Sequence, residues 1–449
     1  MAKAAAASTP TCLLESALLD AGLRGGRVIV GLSGGVDSVA LLHALVRVAP
    51  AMSVTPAALH VHHGLSAHAD AWAGLCDKLC GNLGVELTEV RVHVDRRSKL
   101  GIEGAAREAR YAVFRQQRAD AVALAHHADD QAETLLMQLL RGAGVRGLSA
   151  MPALRTLDPV TGSRLLRPWL ALTRAEIRAY ADSAGLSWVE DESNSDESFD
   201  RSFLRARILP ALVARYPALR ETLGRAAQNL GDATQLLDDL AARDARGAVR
   251  GNSLAVSALA SLPPAGARNL LRWFLEQQHL PAPARDQLEE ARRQVLAARV
   301  DARVRVKLGV AWLRRHRGLL YLEPVGGEPA KGWRVAWTGQ HELRLPGDLG
   351  CLRFEATHGA GLSLARLRAE VVVVGPRKGG ERLRLAPNRP SRTLKNLLQE
   401  ADVPEWERGR LPLIFVGDTL VWVPGVGHDF RFAAVREEPG LMPRWDHAV

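Results

Sequence analysis

At 449 residues with 47% hydrophobic content, the chain is too long for one compact core and apolar enough for about two to four domains. No apolar run approaches a membrane span, and the four cysteines (Cys12, Cys76, Cys80 and Cys351) are too few for a disulfide framework, which argues against integral membrane and disulfide-scaffold classes. A net charge of +10 and a pI near 9.9 point instead to a polyanionic partner.

Residues 1–10 carry one lysine and an alanine run without an apolar signal core, so no signal peptide is expected, and a reduced, cytoplasmic compartment follows. Val28-Ile29-Val30 is a β-branched run bounded by glycines, which predicts a buried parallel strand; Val39 to Val48 predicts a helix. Between them lies Ser33-Gly34-Gly35-Val36-Asp37-Ser38. Adjacent glycines allow a tight turn whose N–H groups converge, and the helix N-terminus adds positive dipole, so the turn suits pyrophosphate. It matches neither the Walker loop nor the dinucleotide fingerprint. A carboxylate here, Asp37, makes sense if a metal ion bridges it to phosphate; the plainer alternative is a helix-capping aspartate in a glycine-rich turn. The stretch resembles the pyrophosphate loop of the ATP-pyrophosphatase superfamily, whose members split ATP between the α- and β-phosphates.

Ala57 to Val61 predicts a second strand, running into His60-Val61-His62-His63. Asp70 to Leu83 is helical, Val85 to Val92 a third strand, Glu103 to Arg118 a helix bearing Arg107 and Arg110, and Ala121 to Ala125 a fourth strand. The last leads into His126-His127-Ala128-Asp129-Asp130-Gln131-Ala132-Glu133. Alternation of strands and helices predicts an α/β, Rossmann-like parallel sheet with ligands beyond the strands' carboxyl ends. Asp130 and Glu133 share a face in the first turn of a helix. Helix-terminal acids explain one carboxylate; a metal-dependent phosphoesterase site from His126, His127, Asp129 and Asp130 is another reading. In the histidine cluster, His60 is a candidate nucleotide contact.

Leu165-Leu166-Arg167-Pro168-Trp169 precedes a helix capped by Thr173 and Glu176. An acidic loop, Asp191 to Asn194, is followed by the spaced arginines Arg201, Arg205 and Arg207, which either lie on a solvated face or gather around phosphates. Between Arg201 and Leu320, 21 Arg/Lys face 10 Asp/Glu, an excess of 11 that matches the surplus of the whole chain. Beyond Pro217 a mainly helical segment ends in a small hairpin around Val304 to Leu322; residues 326–350, rich in Gly and Pro, read as a linker. The domain expectation is 1–217 for nucleotide chemistry, 218–325 for a basic, mainly helical domain whose charge suits nucleic acid, and 351–449 for a small α+β domain.

Taken together, Ser-Gly-Gly-Val-Asp-Ser, His-Val-His-His-Gly-Leu-Ser, Glu-Gly-Ala-Ala-Arg-Glu-Ala-Arg-Tyr, His-His-Ala-Asp-Asp-Gln-Ala-Glu-Thr, Arg141-Gly142-Ala143-Gly144, Leu166-Arg167-Pro168 and Asp191 to Asn194 with the arginine run resemble the tRNA(Ile)-lysidine synthetase family. The segment after Gly379 is similar to the C-terminal domain of its longer members. One departure is Ser202, where the family usually has Asn. The resemblance implies a ligase that adenylates the C2 oxygen of the wobble cytidine in the CAU anticodon of a tRNA(Ile). Free L-lysine then displaces AMP to give lysidine. It also implies ATP held by Ser33, Gly34, Gly35, Val36, Asp37, Ser38 and His60, and Mg²⁺ on Asp37.

Lysine's amine is protonated at neutral pH. Asp130 and Glu133 are therefore expected first to attract the ammonium and then to help deprotonate it. Arg107 and Arg110 are candidates for phosphate or substrate-carboxylate contacts, and Arg201 and Arg205 for tRNA contacts. A homodimer is allowed. A tRNA sulfurtransferase is the enzymatic rival, but it generally needs working cysteines, and Cys76 and Cys80 are expected on an outer helix away from the strand ends. A non-catalytic RNA-binding protein that keeps ATP as a structural ligand is the other alternative.

Overall fold

The computed structural model describes residues 2–66, 68–95, 97–98, 101–158, 161–190, 200–278, 280–299, 304–324, 332–347 and 349–446, with side chains from Pro10 onward. The acidic loop at Asp191 to Asn194 lies outside these residues, as does part of the linker at 326–331. The chain forms two compact units, Met1–Leu236 and Leu237–Val449.

The first unit opens with a helix the sequence pattern did not announce, α1 (Ala2–Asp20). It is followed by β1 (Arg27–Gly31), α2 (Val36–Met52), β2 (Thr55–His62), α3 (Ala69–Leu83), β3 (Glu86–Arg91), α4 (Gly101–Arg115), β4 (Ala121–Ala123) and α5 (Ala128–Leu140). After a one-turn α6 (Val145–Leu148) come β5 (Leu154–Thr156), β6 (Arg164–Leu166) and α7 (Arg174–Ser183). The sheet order is β3-β2-β1-β4-β6-β5, parallel except for the edge strand β5, which runs antiparallel to β6. This is the expected Rossmann-like sheet, extended by a β5–β6 pair that the sequence pattern did not reveal.

Its centre sets the position of everything else. β1 pairs with β2 through Ile29↔Ala57 and with β4 through Ile29↔Val122. The chain thus builds outward from β1 in both directions, and the strand order reverses between β1 and β4. Such a switch point leaves a crevice at the carboxyl ends of the two strands, because their following loops turn to opposite faces of the sheet. One face is packed by α1, α2 and α7, with Leu14, Leu18, Leu41, Leu45 and Ile177 fully buried. The opposite face is covered by Tyr111, Val113 and Phe114 of α4, against Ile29, Leu59 and Val122.

Trp169 ties these parts together: it is fully buried, and its indole N–H donates to the Pro10 carbonyl of α1 at 2.9 Å. Past α7, a one-turn α8 (Asp200–Phe203) runs into a π-helical stretch, Leu204–Ile208, where the Leu209 N–H reaches the Leu204 carbonyl. α9 (Leu209–Arg215) and α10 (Leu219–Asp244) follow.

In the second unit the region expected to be mainly helical also carries a full sheet. The helices Val256–Ser261, Pro264–Gln277 and Arg285–Ala297 accompany a five-stranded antiparallel sheet, and Leu270, Leu271, Phe274, Leu288, Leu313 and Leu320 close the core at 0% exposure. The expected hairpin is its Ala311–His316 and Leu319–Pro324 pair. The rest of the unit contains a five-stranded sheet, centred on Val372–Gly375 and Leu413–Val416, and a four-stranded one, centred on Cys351–His358 and Pro439–Asp446. Trp406 packs edge-on against His316 and Tyr321 and lies under the Arg314 guanidinium at 4.9 Å, so the two parts of this unit share an aromatic contact. Among the described residues no helix is long and apolar enough to cross a membrane.

Trp169 supplies a test of this packing. Trp169→Phe keeps most of the apolar contact but loses the bond to the Pro10 carbonyl, a cost of about 0.5–1.5 kcal/mol. Trp169→Ala adds a cavity and should lose about 3–5 kcal/mol. Urea unfolding followed by far-UV circular dichroism should rank wild type, Phe and Ala in that order.

Candidate active site

The glycine turn after β1 is held by its own serines. The Ser33 N–H donates to Ser38 Oγ at 3.1 Å, the Ser38 hydroxyl donates to the Gly35 carbonyl at 3.0 Å, and the two hydroxyls lie 3.1 Å apart. Gly34 has φ +88°, a region L side chains avoid, and a Cβ there would stand 3.1 Å from Val189 Cγ2. The Gly34 carbonyl accepts from the Val189 N–H, which ties the loop to the segment after α7.

His60 is buried, and its Nδ1 lies 2.8 Å from the Leu32 carbonyl, which places it beneath the loop as a support. Cys76 completes that support. α3 is the outer helix expected for Cys76 and Cys80, but the expectation that it keeps Cys76 away from the strand ends is corrected here: both cysteines are buried, and Cys76 Sγ lies 3.7 Å from His60 Nδ1. The apolar positions of α3 face the sheet, and the two cysteines fall on that face. Burial, with Cys80 and Glu89 nearby, pushes the Cys76 thiol up to about 12, so it stays protonated and is no nucleophile.

Asp37 follows on the first turn of α2. Its Oδ1 is buried with no hydrogen-bond partner, and its Oδ2 lies 3.8 Å from His127 Nε2. Burial raises its carboxyl above the usual range, against the opposing pull of His127 and Arg174. A buried carboxylate oxygen without a donor suits a bound cation. Among the described residues of the site Asp37 is the one with such a free oxygen, so Mg²⁺ fits if phosphate and water complete its shell.

The second wall comes from the end of β4 and the start of α5. His127 lies 3.4 Å from Asp130 Oδ2 and 3.6 Å from Asp129 Oδ2 as well as near Asp37, and its backbone N–H donates to Asp130 at 3.1 Å. The phosphoesterase reading fails on side-chain direction. Asp129 accepts from the Arg174 N–H and pairs with Arg220, while His126 Nδ1 accepts from Arg167 Nε, so these groups do not converge on one ion. Asp130 and Glu133, as expected, face the same way, and Glu133 is 0% exposed.

What fills their space is arginine. Arg201 donates to Asp130 Oδ1 at 2.8 Å and to Glu133 Oε2 at 2.7 Å, and Arg205 donates to Glu133 Oε1 at 2.6 Å and Oε2 at 2.9 Å. Both come from the helix that passes through the π-helical stretch, a distortion that often marks functional segments. Burial pushes Asp130 upward, but His127 and Arg201 outweigh it, and the carboxyl sits below its ordinary value. Arg201 and Arg205, expected to meet phosphate, are thus bound to carboxylate; a phosphate contact requires them to leave it.

Two further site residues were not singled out from sequence. Arg167 is 2% exposed and donates to His126, to the Pro152 carbonyl at 2.8 Å and to the Tyr111 hydroxyl at 3.4 Å. Its signal was an arginine inside the apolar run Leu165-Leu166-Arg167-Pro168-Trp169, a position that needs several acceptors. Gln131 braces the same wall through both its amide atoms on Met151.

Comparison with known proteins agrees with this layout. A PP-loop domain model matches residues 13–212, a TilS substrate binding domain model residues 254–321, and a TilS substrate C-terminal domain model residues 372–445. A protein of Nitrosomonas europaea named tRNA(Ile)-lysidine synthase is 45% identical over 94% of this chain and 92% of its own. One of the same name from Azoarcus sp. is 41% identical over 93% and 91%. Another, from Coxiella burnetii, is 38% identical over 92% and 91%.

The electrostatics of this wall make a pH prediction. Burial, with Arg167 and Arg201 nearby, lowers His126 from 6.5 to about 3. Between those values the unfolded chain binds a proton that the folded one does not, so stability is full above about pH 6.5 and falls as pH drops toward 3. His126→Asn should therefore flatten the fall in melting temperature between about pH 7 and about pH 5. An unchanged slope would place the acid sensitivity elsewhere.

Proposed function

The chain belongs to the tRNA(Ile)-lysidine synthase family, and from that premise we propose that it uses ATP to join free lysine to the wobble cytidine of the CAU anticodon of tRNA(Ile). The observation that carries the reading is the meeting, at one switch point, of an anion-binding turn with a buried pair of carboxylates. The turn suits the β- and γ-phosphates, through its N–H groups and the α2 N-terminus. The carboxylate pair suits an ammonium ion.

The chemistry divides accordingly. The C2 oxygen of the cytidine attacks the α-phosphorus of ATP, the bond to the β-phosphate oxygen breaks, and pyrophosphate leaves with the electron pair. The ε-nitrogen of lysine then bonds to C2, and AMP leaves with the oxygen. A Mg²⁺ ion on Asp37 supplies charge neutralisation to the phosphates. The residues of this chain do the rest. Ser33 to Ser38 hold the leaving group in place. His60 and Cys76 keep that turn in position, so their part is support. Asp130 and Glu133 take the lysine ammonium, and one of them accepts its proton as the amine becomes a nucleophile.

Arg201 and Arg205 currently make the contacts the ammonium would make. They balance the carboxylates' charge, and they give way when tRNA phosphates offer an alternative partner. Not every basic residue of 218–325 is available to a phosphate, since Arg268 and Arg292 share Glu289, and Arg315 is buried on the Val295 and Ala298 carbonyls. Those that do reach a tRNA would position it without reading its sequence. The segment from 351 onward would hold a second region of the same tRNA.

The sulfurtransferase reading loses its chemistry here, since the Cys76 and Cys80 thiols are buried and held protonated at about 12 and about 11. Step-resolved kinetics test the assignment of roles. Asp37→Ala should cut AMP transfer to tRNA by about a hundredfold or more in a protein that still folds. Glu133→Gln should slow lysine-dependent product formation more than adenylated tRNA formation. Equal losses in the two steps would show that Glu133 serves ATP, and normal adenylation by Asp37→Ala would remove Asp37 from the phosphate site.

A further inference from the structure

Residues 254–321 and 351–446 fold around separate cores. Among the described residues, the buried cluster around Leu270 and Leu313 shares no member with those around Leu352 and Leu397. The side chains that meet across the two regions are aromatic and charged. In the hairpin of Ala311–His316 and Leu319–Pro324, Leu313 and Arg315 are buried, so Arg314 and His316 point to the other face, and Tyr321 pairs with Arg314 across the strands. Trp406, on the one-turn helix Glu405–Arg408 of the other region, sits on that face. Its ring lies edge-on at 5.7 Å from His316 and 5.9 Å from Tyr321, and 4.9 Å from the Arg314 guanidinium, which Glu323 holds by an ion pair. A second link joins the same two segments: Arg317, in the hairpin turn, pairs with Asp402. Both have left-handed backbone, φ +47° and +54°, a conformation that costs a non-glycine residue free energy and persists where the surroundings hold it.

Domains with separate cores move relative to one another unless the contact between them is strong. A tryptophan under a guanidinium, flanked by two further rings, is the kind of anchor that carries most of an interface's energy. Its consequence concerns reach. Two regions held in a fixed relation meet a long ligand with the second contact already at high effective concentration, and a loose connection dilutes that advantage. We propose that Trp406 clasps residues 254–321 to residues 351–446 so that both regions meet one tRNA at once, which makes it a positioning residue for the modification. It acts through the placement of the two regions and has no part in the chemical steps. This inference rests on the two-region hold on tRNA proposed above.

The test puts spin labels on two exposed positions, one in each region, through Asp286→Cys and Val371→Cys in the full chain with Cys12 and Cys351 changed to serine. Pulsed electron paramagnetic resonance then reads their separation. The clasped protein should give one narrow separation, and Trp406→Ala should broaden it. The same variant should raise the KM for tRNA about tenfold and leave kcat at saturating tRNA unchanged, with Trp406→Phe recovering part of the loss. His316→Ala removes a ring from the opposite side of the contact and should act in the same direction; the same outcomes are read from it if Trp406→Ala does not fold. An unchanged separation overturns the clasp. A broadened separation with an unchanged tRNA KM overturns its role in positioning. Wild type that binds an isolated anticodon stem-loop as tightly as whole tRNA removes the two-region hold itself.

Discussion

Parallel pairing over Val28↔Ala121, Ile29↔Val122 and Val30↔Ala123 is the constraint on which the rest depends. It makes β1 and β4 neighbours although two strands and three helices separate them in the chain. Side by side, their carboxyl ends deliver Ser33 to Ser38 from one strand and His126 to Glu133 from the other to the same crevice. His127 is where the two meet, within 3.8 Å of Asp37 and 3.4 Å of Asp130. Neither segment is a site alone: the first suits an anion, the second holds buried negative charge, and a two-step ligase needs both.

Burying that much charge is tolerable because each group has a partner of opposite sign or a place for one. Asp129 is met by Arg174 and Arg220, and Asp130 and Glu133 by Arg201 and Arg205. The exceptions carry the functional argument. Asp37 Oδ1 lacks a donor, and Arg110 Nε and His63 Nδ1 lack acceptors. A buried polar atom without a partner costs stability unless a ligand supplies it. An orphaned oxygen beside the pyrophosphate turn suits a cation, and an orphaned guanidinium nitrogen suits an anion.

Much of the first unit was legible in the sequence because its signals are local. Val28 to Val30, the paired glycines and the apolar helix after them state strand, turn and helix in order, and the acidic i, i+3 pair Asp130 and Glu133 states a shared helix face. What the sequence withheld is non-local. α1 is alanine-rich, and only its burial of Leu14 and Leu18 against the sheet justifies it. The strands Val249–Arg250 and Ser253–Ala255 are too short to leave a period-two pattern, so the sheet of the second unit read as one hairpin. That Arg201 and Arg205 face Asp130 and Glu133 here was not legible, because charge alone cannot say which anion a guanidinium faces. Cys76 was expected away from the strand ends because its approach to His60 depends on how α3 packs against β2, which is non-local.

The central claim is that one crevice performs two reactions on one base, with ATP spent on the RNA and lysine retained in the product. The most direct test is mass analysis of tRNA(Ile) carrying a CAU anticodon after incubation with the protein, ATP and isotopically labelled lysine. The account predicts that the label is found on the wobble cytidine, with the mass increase expected for lysine joined with loss of water, and with AMP and pyrophosphate released in equal amounts. ATP turnover that leaves the nucleoside mass unchanged, or label attached anywhere but that base, would contradict it.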